Sequence, residues 1–180
     1  AQQSVKVEKF RAYSTRAGGH EEGKDAVIDK SGLLTAVGIA YNKGSTHREP
    51  LLVSFDNAGK QGLHKTYGKS GKPRGFRKVV VISAGVAAAG WHTESGTDKR
   101  YLLTAVDAKG ALLWEKAPKM AASTQAIGLA VGSDGSFLLA GDVADGIVRK
   151  VWVRRVSATG APVWTKEFKV GNTSWVDVDG

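Results

Sequence analysis

Short apolar runs recur along this chain, each followed by a turn-forming cluster and a second apolar run. The first members are Ala26-Val-Ile28, Val79-Val-Val-Ile82 and Ile127-Gly-Leu-Ala-Val131. Unbroken apolar runs of this length predict strands buried on both faces. A turn follows each at Gly32, Gly85 or Asp134-Gly135, the last a strong hairpin signal. The second predicted strands are Leu33–Gly38, Val86–Gly90 and Phe137–Gly141, rich in small residues that would let neighbouring sheets approach closely. After a longer polar loop come the third strands, Leu51–Phe55, Tyr101–Val106 and Val151–Val156. A fourth then opens from a tight turn: Asp56-Asn-Ala-Gly59 leads to Leu63, Lys65 and Tyr67. Likewise Asp107-Ala-Lys-Gly110 leads to Trp114 and Lys116, and Ser157-Ala-Thr-Gly160 to Trp164, Lys166 and Phe168. Alternation puts the members of each set on one face, an arrangement suited to an outermost strand. There the rings meet the neighbouring sheet, lysine stems lie along them with the ammonium in water, and the charge discourages foreign pairing.

These closing phrases lie about fifty residues apart, a period that marks an array of supersecondary units. Four antiparallel strands per unit, repeated radially, describe a β-propeller blade. The expected fold is therefore all-β, a β-propeller portion spanning residues 1–180 with complete blades at about 24–67, 77–118 and 125–168. Val5–Phe10 reads as a lone fourth strand, and 174–179 as a first strand, giving three blades with one lone strand at each end. A propeller needs at least about four blades to close. The expectation is thus a partial propeller, completed by another chain, a symmetry mate or a region lost by cleavage or truncation, with Asp179-Gly180 a likely nicking point.

Asp107-Ala-Lys-Gly-Ala-Leu-Leu-Trp-Glu-Lys116 resembles the D-x-x-G-x-x-x-W-x-K closing phrase of bacterial secreted β-propeller repeat proteins. Lys65-Thr-Tyr-Gly68 and Ser133-Asp-Gly-Ser-Phe-Leu-Leu-Ala-Gly141 are similar to two further phrases of those repeats, with Ser136 in place of a glycine and Leu63 in place of the tryptophan. The resemblance implies a surface-exposed scaffold and names no activity. A more distant one, to quinoprotein dehydrogenase repeats, meets a segment one residue short between Ala105 and Trp114.

Composition narrows the setting. The chain has 180 residues, no cysteine and a formal charge of +9. Absence of cysteine removes disulfides and thiolate metal sites but leaves export open. The opening Ala1-Gln2-Gln3 suits a mature end after signal-peptide removal or a trimmed terminus, so a secreted, periplasmic or cell-surface location is expected. No uninterrupted apolar stretch approaches the ~18 residues of a membrane-spanning helix, and no membrane span is expected.

Candidate chemistry is sparse. His20-Glu21-Glu22 reads as a solvated turn, His47 and His92 as loop residues facing one rim, and His64 as exposed. Asp177 and Asp179 begin a D-x-D-G phrase that a β-turn explains as well as calcium does. Asn172-Thr-Ser174 is a glycosylation sequon, which in a bacterial protein would arise by chance. No nucleophile elbow or phosphate loop occurs, so no catalytic residue, metal or cofactor is assigned. The strongest feature is electrostatic. Arg48, Lys99 and Arg149 occupy matching positions before the third strands, followed by Arg100 and Lys150. The expected blade-joining loop 69–78 adds Lys72, Arg74, Arg77 and Lys78. Together they would make a cationic rim, with Phe76 and Trp91 open for stacking, able to hold an acidic glycan or other polyanion. The sequence therefore reads as a non-enzymatic scaffold that mediates binding or assembly in an oligomer. The alternatives are a fragment of a propeller enzyme, quinoprotein dehydrogenase-like or polysaccharide-active, and a cationic-rim binder of acidic polymers.

Overall fold

A computed structural model describes residues 19–41, 48–68, 72–95, 98–120, 123–145 and 148–169. Every regular element among them is a strand. The first sheet runs β1 (His20–Ile28), β2 (Leu34–Tyr41), β3 (Arg48–Phe55) and β4 (Gln61–Thr66). The second runs β5 (Arg74–Ile82), β6 (Gly85–Ser95), β7 (Asp98–Asp107) and β8 (Leu112–Lys116). The third runs β9 (Ser123–Val131), β10 (Phe137–Asp145), β11 (Val148–Val156) and β12 (Pro162–Lys169). Each is a four-stranded antiparallel meander in chain order. The expected lone strands at 5–10 and 174–179 lie outside the described residues, as do His47, Asp177, Asp179 and the 172–174 sequon.

The three sheets are stacked through their first strands. β5 lies across β1, β2 and β3, and β9 lies across β5, β6 and β7. Two apolar layers result. Val37, Leu52, Phe76, Val79, Val86, Ala88, Leu102 and Val106 fill the space between sheets one and two. Ala87, Ala89, Tyr101, Leu103, Phe137, Leu139 and Trp152 fill that between sheets two and three. Alternate residues of β6 and β7 thus serve opposite layers, which is why the middle of each strand is buried on both faces.

The strands begin earlier than the apolar runs indicated: β1 at His20, β5 at Arg74 and β9 at Ser123. Their first halves are polar and yet fully paired. At the junction each first strand carries a bulge, with Lys24, Arg77 or Ile127 skipped by the ladder. Opposite the bulges stand Gly38, Gly90 and Gly141, where a Cβ would land inside the carbonyl oxygen of Glu22, Gly75 or Gln125. These glycines therefore clear the bulged backbone of their own sheet, a closer cause than the sheet-to-sheet approach expected from their size.

The tight turns before the fourth strands share one construction. Asp56 Oδ1 accepts from the amides of Ala58 and Lys60, and Asp107 Oδ1 from those of Lys109 and Ala111. Ser157 Oγ takes the same two bonds from Thr159 and Ala161. Gly59, Gly110 and Gly160 follow at φ of 73°, 72° and 78°, the left-handed region that a side chain disfavours.

Candidate docking face and the cationic end

On β4, Leu63, Lys65 and Tyr67 face the second sheet. Lys65 Nζ and the Tyr67 hydroxyl both donate to the carbonyl of Gly110, at 2.8 and 2.9 Å. Burial pushes the Tyr67 phenol up to about 12, with a smaller push from the Asp107 carboxylate. The lysine also lies over its own neighbour's ring, 5.5 Å from the Tyr67 centroid. Lys65 is exposed, as expected, and its ammonium is also tied to the next sheet's turn. β8 repeats the side-chain packing of that contact, without its hydrogen bonds, one sheet on. A Cβ on Gly160 would meet Lys116 Cγ at 2.8 Å and the Trp114 ring at 2.9 Å, and Trp114 sets its edge against Phe137 at 5.8 Å.

β12 carries the same set with nothing among the described residues packed on it. Trp164 is 38% exposed, Phe168 51% and Val163 58%. Lys166 Nζ lies 5.7 Å above the Trp164 ring, two residues before it, whereas Lys65 lies over Tyr67, two residues after it. At the other side of the molecule Gly59 is exposed with its whole turn, whereas Gly110 and Gly160 are buried at the ends of theirs. A Cβ on Gly59 meets nothing within 4 Å. One outer strand is bare, and one turn is bare.

The expected cationic residues are only partly gathered. Cross-strand pairing sets Arg48 beside Tyr41, Lys99 beside Thr93, Lys150 beside Val143, and Arg74, His92 and Arg100 in one row, all at the end of the sheets away from the tight turns. Arg77 and Lys78 do not join them, because residues 74–78 are strand β5 and not a loop. Arg74 is 1% exposed and pairs with Glu115 at 2.6 Å, while donating to the Tyr67 carbonyl at 3.2 Å. Lys72 and Arg100 reach Glu94 at 2.5 and 3.7 Å, and Lys150 reaches Glu167 at 3.6 Å. Hydrogen bonds from Lys72 and His92 hold the Glu94 carboxyl down at about 2. The Arg149 side chain lies outside the described set. Phe76 is fully buried in the core and takes no part at the rim. Trp91, 5% exposed, is flanked by Arg48 and Lys99 at 5.9 and 5.8 Å. A large part of the expected charge is thus neutralised within the protein.

The histidines also depart from expectation. His20 begins β1 and stacks on Tyr41 at 4.0 Å, where a solvated turn was expected. His64 is not exposed; its Nε2 sits 2.9 Å from Glu21. His92 is buried in β6, 2.9 Å from Glu94. Among the described residues no group of three or more His, Asp or Glu is arranged to hold a metal, and no helix is long and apolar enough to cross a membrane. Comparison with known proteins returns no matching family model and no matching curated protein.

Proposed function

We propose that this protein is a non-enzymatic, propeller-like repeat scaffold whose role is macromolecular contact, made on the open face of β12 and completed by further sheets. The observation that carries the reading is the contrast between Trp114, packed against Phe137, and Trp164, bare at the matching position of the next unit. Exposed rings grouped on one strand face mark a contact surface. A radial arrangement is supported by the first turns of all three sheets, at Asp29-Lys30-Ser31, Ser83-Ala84 and Gly132-Ser133, which line one shared cleft. An exported setting is supported by the resemblance of the closing phrases to secreted repeat proteins.

The test is an asymmetry in dilute solution. Trp114→Ser removes a packed ring and is expected to cost about 3–5 kcal/mol. Trp164→Ser is expected to stay within about 0.5 kcal/mol, as exposed sites do, while reducing binding of a hydrophobic dye. Equal costs at both positions would sink the reading, because Trp164 would then be serving the fold itself.

Arg48 and Lys99 favour a second reading. They come from different sheets, β3 and β7, and both lie over Trp91. An exposed cation pair held in place by a shared ring suits contact with a polyanion.

A further inference from the structure

The contact between consecutive sheets has two halves, and each half is also present once without its partner. β4 covers the Gly110 turn and β8 covers the Gly160 turn. β12 presents the covering half, and Asp56–Gly59 presents the covered half. We infer that β12 of one copy of this chain docks on the Asp56–Gly59 turn of a second copy, reproducing between molecules the strand-on-turn packing made twice within one and the lysine-to-carbonyl bond made once. The inference rests on the propeller-like reading and names its partner.

The halves match in detail. The Asp56 turn makes the same side-chain and backbone bonds as the Asp107 turn, and the two glycines share their φ. The backbone carbonyl of Gly59 is therefore offered as that of Gly110 is. Lys166 stands at the position of Lys65, two residues beyond Trp164, with its ammonium over that ring where Lys65 lies over Tyr67, the match of Phe168. In the joint, Lys166 Nζ donates to the Gly59 carbonyl, and Trp164 and Phe168 take the places of Leu63 and Tyr67. The contact is heterologous, so it closes only if the turn per sheet allows a ring. Two copies supply six sheets, within the range of about four to eight in which propellers close. Each copy carries +9, so the copies repel at long range and salt strengthens their association. A polyanion complex has the opposite salt dependence.

The chain has no cysteine, so introduced thiols report unambiguously. Chains carrying Ala58→Cys and chains carrying Pro162→Cys are mixed at high concentration and treated with a short bis-maleimide. Leu112→Cys with Thr159→Cys in one chain is the internal control, since it spans the corresponding joint between sheets two and three. The inference expects linked dimers in the mixture, none from either variant alone, and a light-scattering mass twice 19.0 kDa that falls to one chain on Trp164→Ser with Phe168→Ser. A linked control with an unlinked, single-chain mixture overturns the second copy as partner and leaves the β12 face as a contact surface for something else. Linking by either variant alone overturns the head-to-tail geometry. An unlinked control overturns the joint, and the propeller-like reading with it.

Discussion

Lys65 and Gly110 are joined across two sheets by a 2.8 Å hydrogen bond from the ammonium to the backbone carbonyl, which the Tyr67 hydroxyl shares at 2.9 Å. Tyr67→Phe leaves that carbonyl with its lysine, so the expected loss is about 0.5–1.5 kcal/mol by denaturant titration. The phenol, held near 12 in the fold against 10.0 when free, adds a pH signature. Its pKa is raised, so its stabilisation is complete below 10 and is lost as pH climbs through 12. Phenolate absorbance should show one tyrosine titrating late, absent in the phenylalanine variant.

Arg74 and Glu115 form an ion pair between β5 and β8, nearly sealed from water. Glu115→Ala strands a buried guanidinium, and the expected cost is about 3–5 kcal/mol. Arg74→Met combined with Glu115→Leu removes both charges and should recover much of it. A double variant as unstable as the single one would show that the pair is favourable in itself.

Gly90 and Gly23 separate two demands on a small residue. A Cβ at Gly90 runs into the carbonyl of Gly75, whereas one at Gly23 meets nothing within 4 Å. Gly90→Ala should therefore destabilise by about 2 kcal/mol or more, since rigid backbone must move. Gly23→Ala should be neutral or stabilising by about 0.4–1 kcal/mol, because it restricts only the unfolded chain. Thermal melts of the two variants decide the matter.

Glu94 receives hydrogen bonds from Lys72 and His92, with Arg100 nearby, and titrates at about 2 against 4.5 when free. A depressed carboxyl stabilises the fold above its free value and ceases to do so as pH falls towards its folded one. The melting temperature should drop between pH 4.5 and 2, and Glu94→Gln should flatten that drop. An unchanged slope would mean that Glu94 keeps the same partners when unfolded.

Arg48 and Lys99 define the polyanion reading. Replacing both with alanine should weaken retention on heparin and reduce its salt slope, each phosphate- or sulfate-type contact contributing close to one counterion. Retention unchanged by the pair, with folding intact, removes that reading.

The turn and strand chemistry was legible because it is local. The Asp-x-x-Gly phrases announce their own hydrogen bonds. Burial on both faces, expected of the first strands, did not hold: Ala26, Ile28, Ala130 and Val131 are exposed, and it is β6 and β7 that serve both layers. Strand starts were not legible: Glu21 and Glu22 lie at a sheet end where pairing continues past the apolar core, and Arg74 is buried there by its pairing with Glu115. Nor was the rim. Arg74 finds Glu115 forty-one residues away in sequence, and Glu94 gathers Lys72, His92 and Arg100. Spacing along the chain carries no trace of such partners. Loop-like composition also misplaced Arg77 and Lys78, whose strand tolerates them through a bulge.

The Asp-x-x-Gly turn and the ring–lysine strand that follows it sit within about ten residues, yet they bind different neighbours, one behind and one ahead. Such a segment gives the array a direction, as a tongue and a groove cut on opposite sides of a plank do. A duplicated unit would arrive with both fittings already matched to its flanks. The joint therefore fixes how units follow one another and leaves their number to the curvature they accumulate.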